Sequence, residues 1–251
     1  GGKSPAIIDK NMDINIAVSR FILGKTLNSG QTCVAPDYIL CPKDKCADLI
    51  AAIKAHYTTM YPNVDNNDDC TCIVNASQHK RLVSMLDDAT QKGATVIPCA
   101  EGGSINRKMP LTLVTNTSLE MAVMQEEIFG PILPIVPYEN IKEAIDYVND
   151  RPRPLALYIY SFNKIVQQKI LTNTHAGGVC INDAAMHVAT DDLPFGGVGA
   201  SGMGHYHAKE GFISLSKAKP IFSRGKVSFS HFVFPPFGGK IQQLIYKLFI
   251  R

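Results

Sequence analysis

No apolar run in the 251 residues approaches the roughly 20 that would span a bilayer, so no transmembrane helix is expected. The opening Gly1-Gly2-Lys3-Ser4-Pro5 has no initiator Met, no apolar signal core and no amphipathic transit pattern, and it reads as a cut end. No internal repeat and no low-complexity stretch is present, which excludes solenoids and compositionally biased linkers. The seven cysteines form an odd set without secretory cues. Cys70-Thr71-Cys72 lacks the two-residue gap of a zinc knuckle, and His187, His205 and His207 complete no ligand quartet. Reduced thiols, a cytoplasmic setting and no metal are the expectations.

Acids are also missing from one end. After Glu210 the chain has no Asp or Glu, whereas residues 211–251 carry seven Lys or Arg. The net charge is +3, so removing those seven leaves −4 for the first 210 residues. Residues 1–210 are therefore expected to form one body and residues 211–251 a chemically separate basic tail. No nucleic-acid motif accompanies the basic residues, and their interleaving with apolar ones argues against a nucleic-acid partner.

What is present is a globular composition, 45% hydrophobic and 19% charged. Short β-rich runs alternate with helical patterns. Pro5–Ile8 reads as the end of a strand, and Asp37–Leu40, Thr95–Pro98, Pro131–Val136, Leu155–Tyr160 and Gly178–Ile181 read as strands. Asp13 can cap a helix carrying Ile14, Ala17, Val18, Phe21 and Ile22, and Asn75 one carrying Leu82, Val83 and Leu86. Further helices are expected over 45–57, 141–149 and 163–172. Strand and helix in alternation predict an α/β fold, a largely parallel sheet with flanking helices.

Asn28-Ser-Gly-Gln-Thr-Cys33-Val-Ala-Pro-Asp37 lies between the first helix and a strand. A thiol at such a turn meets backbone N–H groups that can stabilise a thiolate and a developing oxyanion. A buried, inert cysteine is the commoner alternative for any one position. Glu126 and Glu127 taken alone read as a solvated acidic pair, Phe195 as core, and Asn182 as a turn at a strand end. Gly197-Val-Gly-Ala-Ser-Gly202 matches the dinucleotide fingerprint G-x-G-x-x-G in letters. It has no strand before it and no acid about 20 residues later, so a flexible glycine-rich loop is the better reading.

Five segments in order resemble the aldehyde dehydrogenase superfamily. They are Gly1–Pro5, the Cys33 string, Glu126-Glu127-Ile128-Phe129-Gly130-Pro131, Gly177–Asn182 and Leu193–Gly204. The wording of Pro154–Tyr158 and Leu193–Gly199 is similar to the class 3 and coniferyl-aldehyde-dehydrogenase-like branch. The resemblance implies a catalytic domain with Cys33 as nucleophile, NAD or NADP as cofactor, and an aldehyde as substrate. It implies that Glu127 holds the nicotinamide ribose and that Phe129 packs beside it. Asn182, Met186, His187 and Phe195 would line the substrate tunnel, and Gln78 and Lys80 would approach the adenosine ribose. It also implies that a general-base Glu lies two residues before Gly1, with an oxyanion-hole Asn and a Rossmann half further upstream, so that these residues alone turn over poorly. A non-catalytic oligomerisation module and a thiol acyl-transferase or cysteine hydrolase are the rival expectations.

The chain ends in Lys240–Arg251, where Ile241, Leu244, Ile245, Leu248 and Phe249 fall at i, i+3, i+4, i+7 and i+8. This short basic amphipathic helix is expected to dock on its own enzyme, on a second subunit in a homodimer or larger homo-oligomer, or on a membrane surface.

Overall fold

The computed structural model describes residues 1–103 and 105–250. The chain divides into two compact units, Gly1–Leu215 and Ser216–Arg251.

In the first unit β1 (Pro5–Ile8) leads into α1 (Ile14–Thr26), capped by Asp13, which accepts from the Ile16 N–H. Next come β2 (Tyr38–Pro42), α2 (Cys46–Met60) and α3 (Ala76–Gln91), the last capped by Asn75. The chain continues through β3 (Thr95–Pro98), β4 (Thr112–Thr115), the short α4 (Ala122–Gln125), β5 (Ile132–Tyr138) and α5 (Ile141–Asn149). It closes with β6 (Ala156–Tyr160), α6 (Lys164–Asn173), β7 (Gly178–Ile181), α7 (Met186–Ala189) and α8 (Ala208–Ser214). Asn140 and Asn163 cap α5 and α6 in the same way, each accepting from two backbone N–H groups. The second unit holds a single turn of tight helix at Ser230–Val233 and α9 (Lys240–Phe249).

The seven strands form one sheet in the order β3-β4-β5-β2-β1-β6-β7. Every neighbouring pair is parallel except β3 with β4 at the edge. The fold is thus the α/β class read from the sequence. β1, β2 and β6 are buried at every position, as expected of parallel strands covered on both faces. The period of two sorts their side chains. Ala6, Ile8, Ile39, Cys41, Tyr158 and Tyr160 join one core with α1 and α2. Ile7, Tyr38, Leu40, Leu157 and Ile159 join the other with α3, α5 and α6.

Four elements depart from the sequence expectation by addition, β4, α4, α7 and α8. β4 and α4 have no strong periodic signal, and they form because Leu113 and Val114 are wholly buried and Val123 and Met124 pack into the second core. The helix expected over 45–57 runs on to Met60. Gly197–Gly202 has no strand leading into it; it is a loop containing a single tight turn at Gly199–Ser201, pinned by the Phe195–Tyr206 bridge. No helix among the described residues is long and apolar enough to cross a membrane.

The carboxyl end of β1 is fixed from two strands away, where the buried Tyr138 hydroxyl donates to the Ile8 carbonyl at 2.6 Å. Replacing Tyr138 by Phe is expected to cost about 1 to 2 kcal/mol in denaturant unfolding, the usual range for one buried hydrogen bond lost with its acceptor left behind.

Candidate active site

Chain segments that enter the amino ends of β1, β2 and β5 converge. Lys3 precedes β1, Asp37 precedes β2, and Glu126 to Pro131 precede β5. The Lys3 ammonium donates to Asp37 Oδ1 at 2.8 Å, to the Val123 carbonyl at 2.8 Å and to the Glu126 carbonyl at 2.9 Å. The other oxygen, Asp37 Oδ2, accepts from the Ile128 N–H at 3.1 Å, and the Asp37 N–H donates to the Ser4 carbonyl at 2.8 Å. One ion pair therefore ties together the segments that hold Gly1-Gly2, Cys33 and Glu127.

The Cys33 loop itself is built from unusual backbone. Asn28, Ser29 and Gly30 take positive φ in succession, at 51°, 54° and 72°. Asn28 Nδ2 donates to the Gln31 carbonyl, while Gln31 Nε2 donates to the Asn28 and Cys72 carbonyls and Gln31 Oε1 accepts from the Val74 N–H. Gly30 cannot be replaced without movement, since a Cβ there would stand 2.5 Å from the Gly130 carbonyl oxygen. The turn closes with the Ala35 N–H donating to the Thr32 carbonyl, which leaves Cys33 at its crest, half-buried against the first core. The next residue is held from below, where the buried Tyr158 hydroxyl donates to the Val34 carbonyl. Among the described residues no carbonyl accepts the Cys33 N–H.

Lys25, one turn before this loop, is 1% exposed. Burial pulls its pKa down to about 8, with the nearby Asp37 carboxylate opposing and Lys3 adding to the fall. Glu127 is half-buried beside Gly1, where a Cβ would lie 2.9 Å from Glu127 Oε2. The same carboxylate lines a cleft of about 420 Å³ together with Lys3, Arg151, Arg153 and Ser201. Phe129, at φ 50°, presents an exposed ring two residues on.

The four tunnel candidates separate. His187 is buried, edge-on to Tyr158 at 5.9 Å between ring centroids, with Phe195 6.4 Å away on another side. Both of its ring nitrogens are buried and lack a hydrogen-bond partner among the described residues. Burial lowers its pKa, disfavouring the charged ring. Phe195 is buried in the same core that Cys33 packs against, whereas Met186 is exposed. Asn182 lies instead at the carboxyl ends of β6 and β7, where it accepts from the Ser161 N–H and donates to the Ser161 carbonyl, both at 2.9 Å. Gln78 accepts from Arg81, whose guanidinium also donates to the Glu127 and Ile128 carbonyls, so α3 braces the Glu127 segment; Lys80 is exposed. The sequence reading missed Lys3, Asp37, Lys25 and Tyr158. The available signal was that Lys3 and Asp37 sit at equivalent places, each just before a strand.

The model of the aldehyde dehydrogenase family matches residues 1–221. A protein described as a probable coniferyl aldehyde dehydrogenase of Pseudomonas aeruginosa is 51% identical over 251 residues, all of this chain and 52% of that protein. The structure of Staphylococcus aureus AldH in a substrate-bound state is similar at a TM-score of 0.88 and 39% identity, covering 100% of this chain and 54% of that one. A Mycobacterium tuberculosis aldehyde dehydrogenase complexed with NAD+ follows at a TM-score of 0.74 and 27% identity, covering 84% and 44%. The chain spans about half the length of these relatives.

Asp37→Ala would leave the half-buried Lys3 ammonium with its two carbonyl acceptors and the Ile128 N–H without its partner, and a loss of about 1.5 to 3 kcal/mol in unfolding free energy is expected. Lys25 gives a pH signature of definite sign. Its folded pKa of about 8 lies below the ordinary 10.5, so between those values the unfolded chain holds more protons and stability rises with pH. Relative to Lys25→Met, the parent is expected to gain roughly 3 kcal/mol as pH climbs through that window, measured by parallel urea titrations.

Proposed function

Because the chain belongs to the aldehyde dehydrogenase family, we propose that the intact protein oxidises an aldehyde to a carboxylic acid with Cys33 as nucleophile. The observation that carries this reading is the Cys33 turn, a half-buried thiol with an unengaged backbone N–H, tied through Asp37 to the Glu127 segment.

Addition of the Cys33 thiolate to the aldehyde carbon forms a carbon–sulfur bond and moves the carbonyl electron pair to oxygen. The Cys33 N–H is free to donate to that oxyanion. The fixed turn of Asn28 to Gln31 and the Tyr158 hydroxyl on Val34 hold the sulfur while the carbon changes geometry. Loss of hydride from the adduct leaves a thioester on Cys33. Water then cleaves it, returning the thiol and releasing the acid. Aldehyde, water and oxidised cofactor thus give acid, reduced cofactor and a proton.

NAD or NADP supplies the hydride acceptor when bound. The residues present fit such a group. The Glu127 carboxylate, at the edge of an open cleft, can accept from both hydroxyls of a ribose, and the exposed Phe129 ring offers an apolar face beside it. In this reading His187 and Phe195 form the apolar wall behind Cys33, and Asn182 acts by bracing the β6–β7 ends rather than by touching substrate. An aromatic aldehyde suits the His187, Tyr158 and Phe195 rings, and the coniferyl-aldehyde name of the Pseudomonas relative points the same way. The enzyme is assigned to the cytoplasm and to a homo-oligomer. A cysteine hydrolase would need a histidine on the thiol, and among the described residues no hydrogen bond joins Cys33 to one.

In the intact protein Cys33→Ala is expected to abolish reduction of NAD or NADP by a test aldehyde, a fall of at least about a thousandfold in kcat, with an unchanged far-UV circular dichroism spectrum. Undiminished turnover in that variant would refute the assignment.

A further inference from the structure

We propose that α9 docks the protein on an anionic lipid surface, lying along it with Ile241, Leu244 and Leu248 inserted. The orientation of the helix is the first argument. Gln242, a polar residue, is the buried one at 3% exposure, whereas Ile241, Leu244 and Leu248 are 50%, 57% and 66% exposed. At about 100° per residue these three share an arc of roughly 60°, and Lys240 and Lys247 fall together on its flank. The Gly238 N–H donates to Gln242 Oε1 at 2.6 Å, so the helix is held on the side of Gln242 and the half-buried Ile245, and the arc of Ile241, Leu244 and Leu248 is left exposed. Lysines beside an exposed apolar arc can reach headgroup phosphates while their stems cover acyl chains.

The composition of the segment is the second argument. Residues 211–251 hold seven of the eleven Phe, all seven of the segment's charges are basic, and acids are absent. Phe222, Phe229, Phe234 and Phe237 are exposed. Aromatic rings and basic groups without acids suit an interface that is negative outside and apolar beneath. A second copy meeting this arc about a two-fold axis would set Lys240 and Lys247 against their own kind, which disfavours that occupant. Ten helical residues span about 15 Å, half the hydrocarbon thickness, a length that suits a helix lying along the surface.

The test is flotation of the full protein with phosphatidylcholine vesicles carrying roughly 30 mol % phosphatidylglycerol, against phosphatidylcholine alone. Recovery with the anionic vesicles only, abolished by high salt and by Leu244→Glu/Leu248→Glu, is the expected result. Lys240→Gln/Lys247→Gln should lower the partition coefficient about thirtyfold, and it keeps the test readable where the glutamates perturb the helix. Equal recovery with neutral vesicles, or no recovery with either, would overturn the proposal. So would sedimentation in which the glutamate variant dissociates an oligomer while the parent ignores vesicles, which would assign the arc to a second copy.

Discussion

The Lys3–Asp37 ion pair is the interaction on which the site depends. A buried pair earns little from its charges alone, because each group loses its water; it holds when further hydrogen bonds satisfy what remains. Here they do. Lys3 reaches two carbonyls besides the carboxylate, and Asp37 takes a backbone N–H on its second oxygen. The acceptors and donors belong to three segments distant in sequence, so the pair acts as a register mark. It sets the height of the Cys33 turn against the Gly1-Gly2 strand entry and the Glu127 segment. Lys25 lies in the same electrostatic neighbourhood, and its burial, the largest cause of its lowered pKa, shields it from water.

The position of this cluster in the sheet matters. Open parallel sheets commonly place ligands beyond the carboxyl ends of their strands. Lys3, Asp37 and the Glu126–Pro131 segment gather at the amino ends of β1, β2 and β5 instead. The carboxyl ends carry a different polar network, in which Ser161 donates to Asp9 at 2.6 Å and shares its backbone with Asn182 and Gln167. Asp9, Ser161 and Gln167 in that network are buried, and it ties β1, β6 and β7 together at that end. The division also explains why Gly197–Gly202 works as a loop despite its fingerprint spelling. It has no strand to launch it, and its glycines serve close packing, since a Cβ at Gly196 would meet the Gly204 carbonyl oxygen at 2.0 Å and one at Gly197 the Ser201 carbonyl oxygen at 2.3 Å.

Much of the fold was legible because parallel strands are written as short continuous apolar runs and the helices announce their caps. Thr95–Pro98 and Gly178–Ile181 are bounded to the residue, β1 at its carboxyl end, and Asn75 and Asp13 cap as read. β4 was not, since Thr112–Thr115 is four residues of mixed polarity whose strand character comes from pairing with β3 and β5. The motif residues of the site could be read by resemblance, but their partners could not. Lys25 sits in a helix where a lysine is ordinarily solvated, and nothing local says that its side is covered. Tyr158 reads as one more β-strand aromatic, and its hydroxyl acquires a role only when the Cys33 turn is folded over it.

Two independent links join the Cys33 turn to the Glu127 segment, and they differ in kind. The Asp37 link is electrostatic and depends on Lys3. The second is steric, where Gly30, with no side chain, lets the Gly130 carbonyl approach to a distance that any Cβ would block. The first orients Asp37 and the strand entry that follows Cys33, and the second fixes the turn that precedes it. A thiol held on both sides in this way would lose little freedom on reaction, because its loop is already ordered by folding. The thiol is thus positioned by backbone geometry, with no imidazole bonded to it among the described residues. Under the proposed reaction that arrangement suits a sulfur that first attacks and then waits as an acyl carrier while a second group activates water.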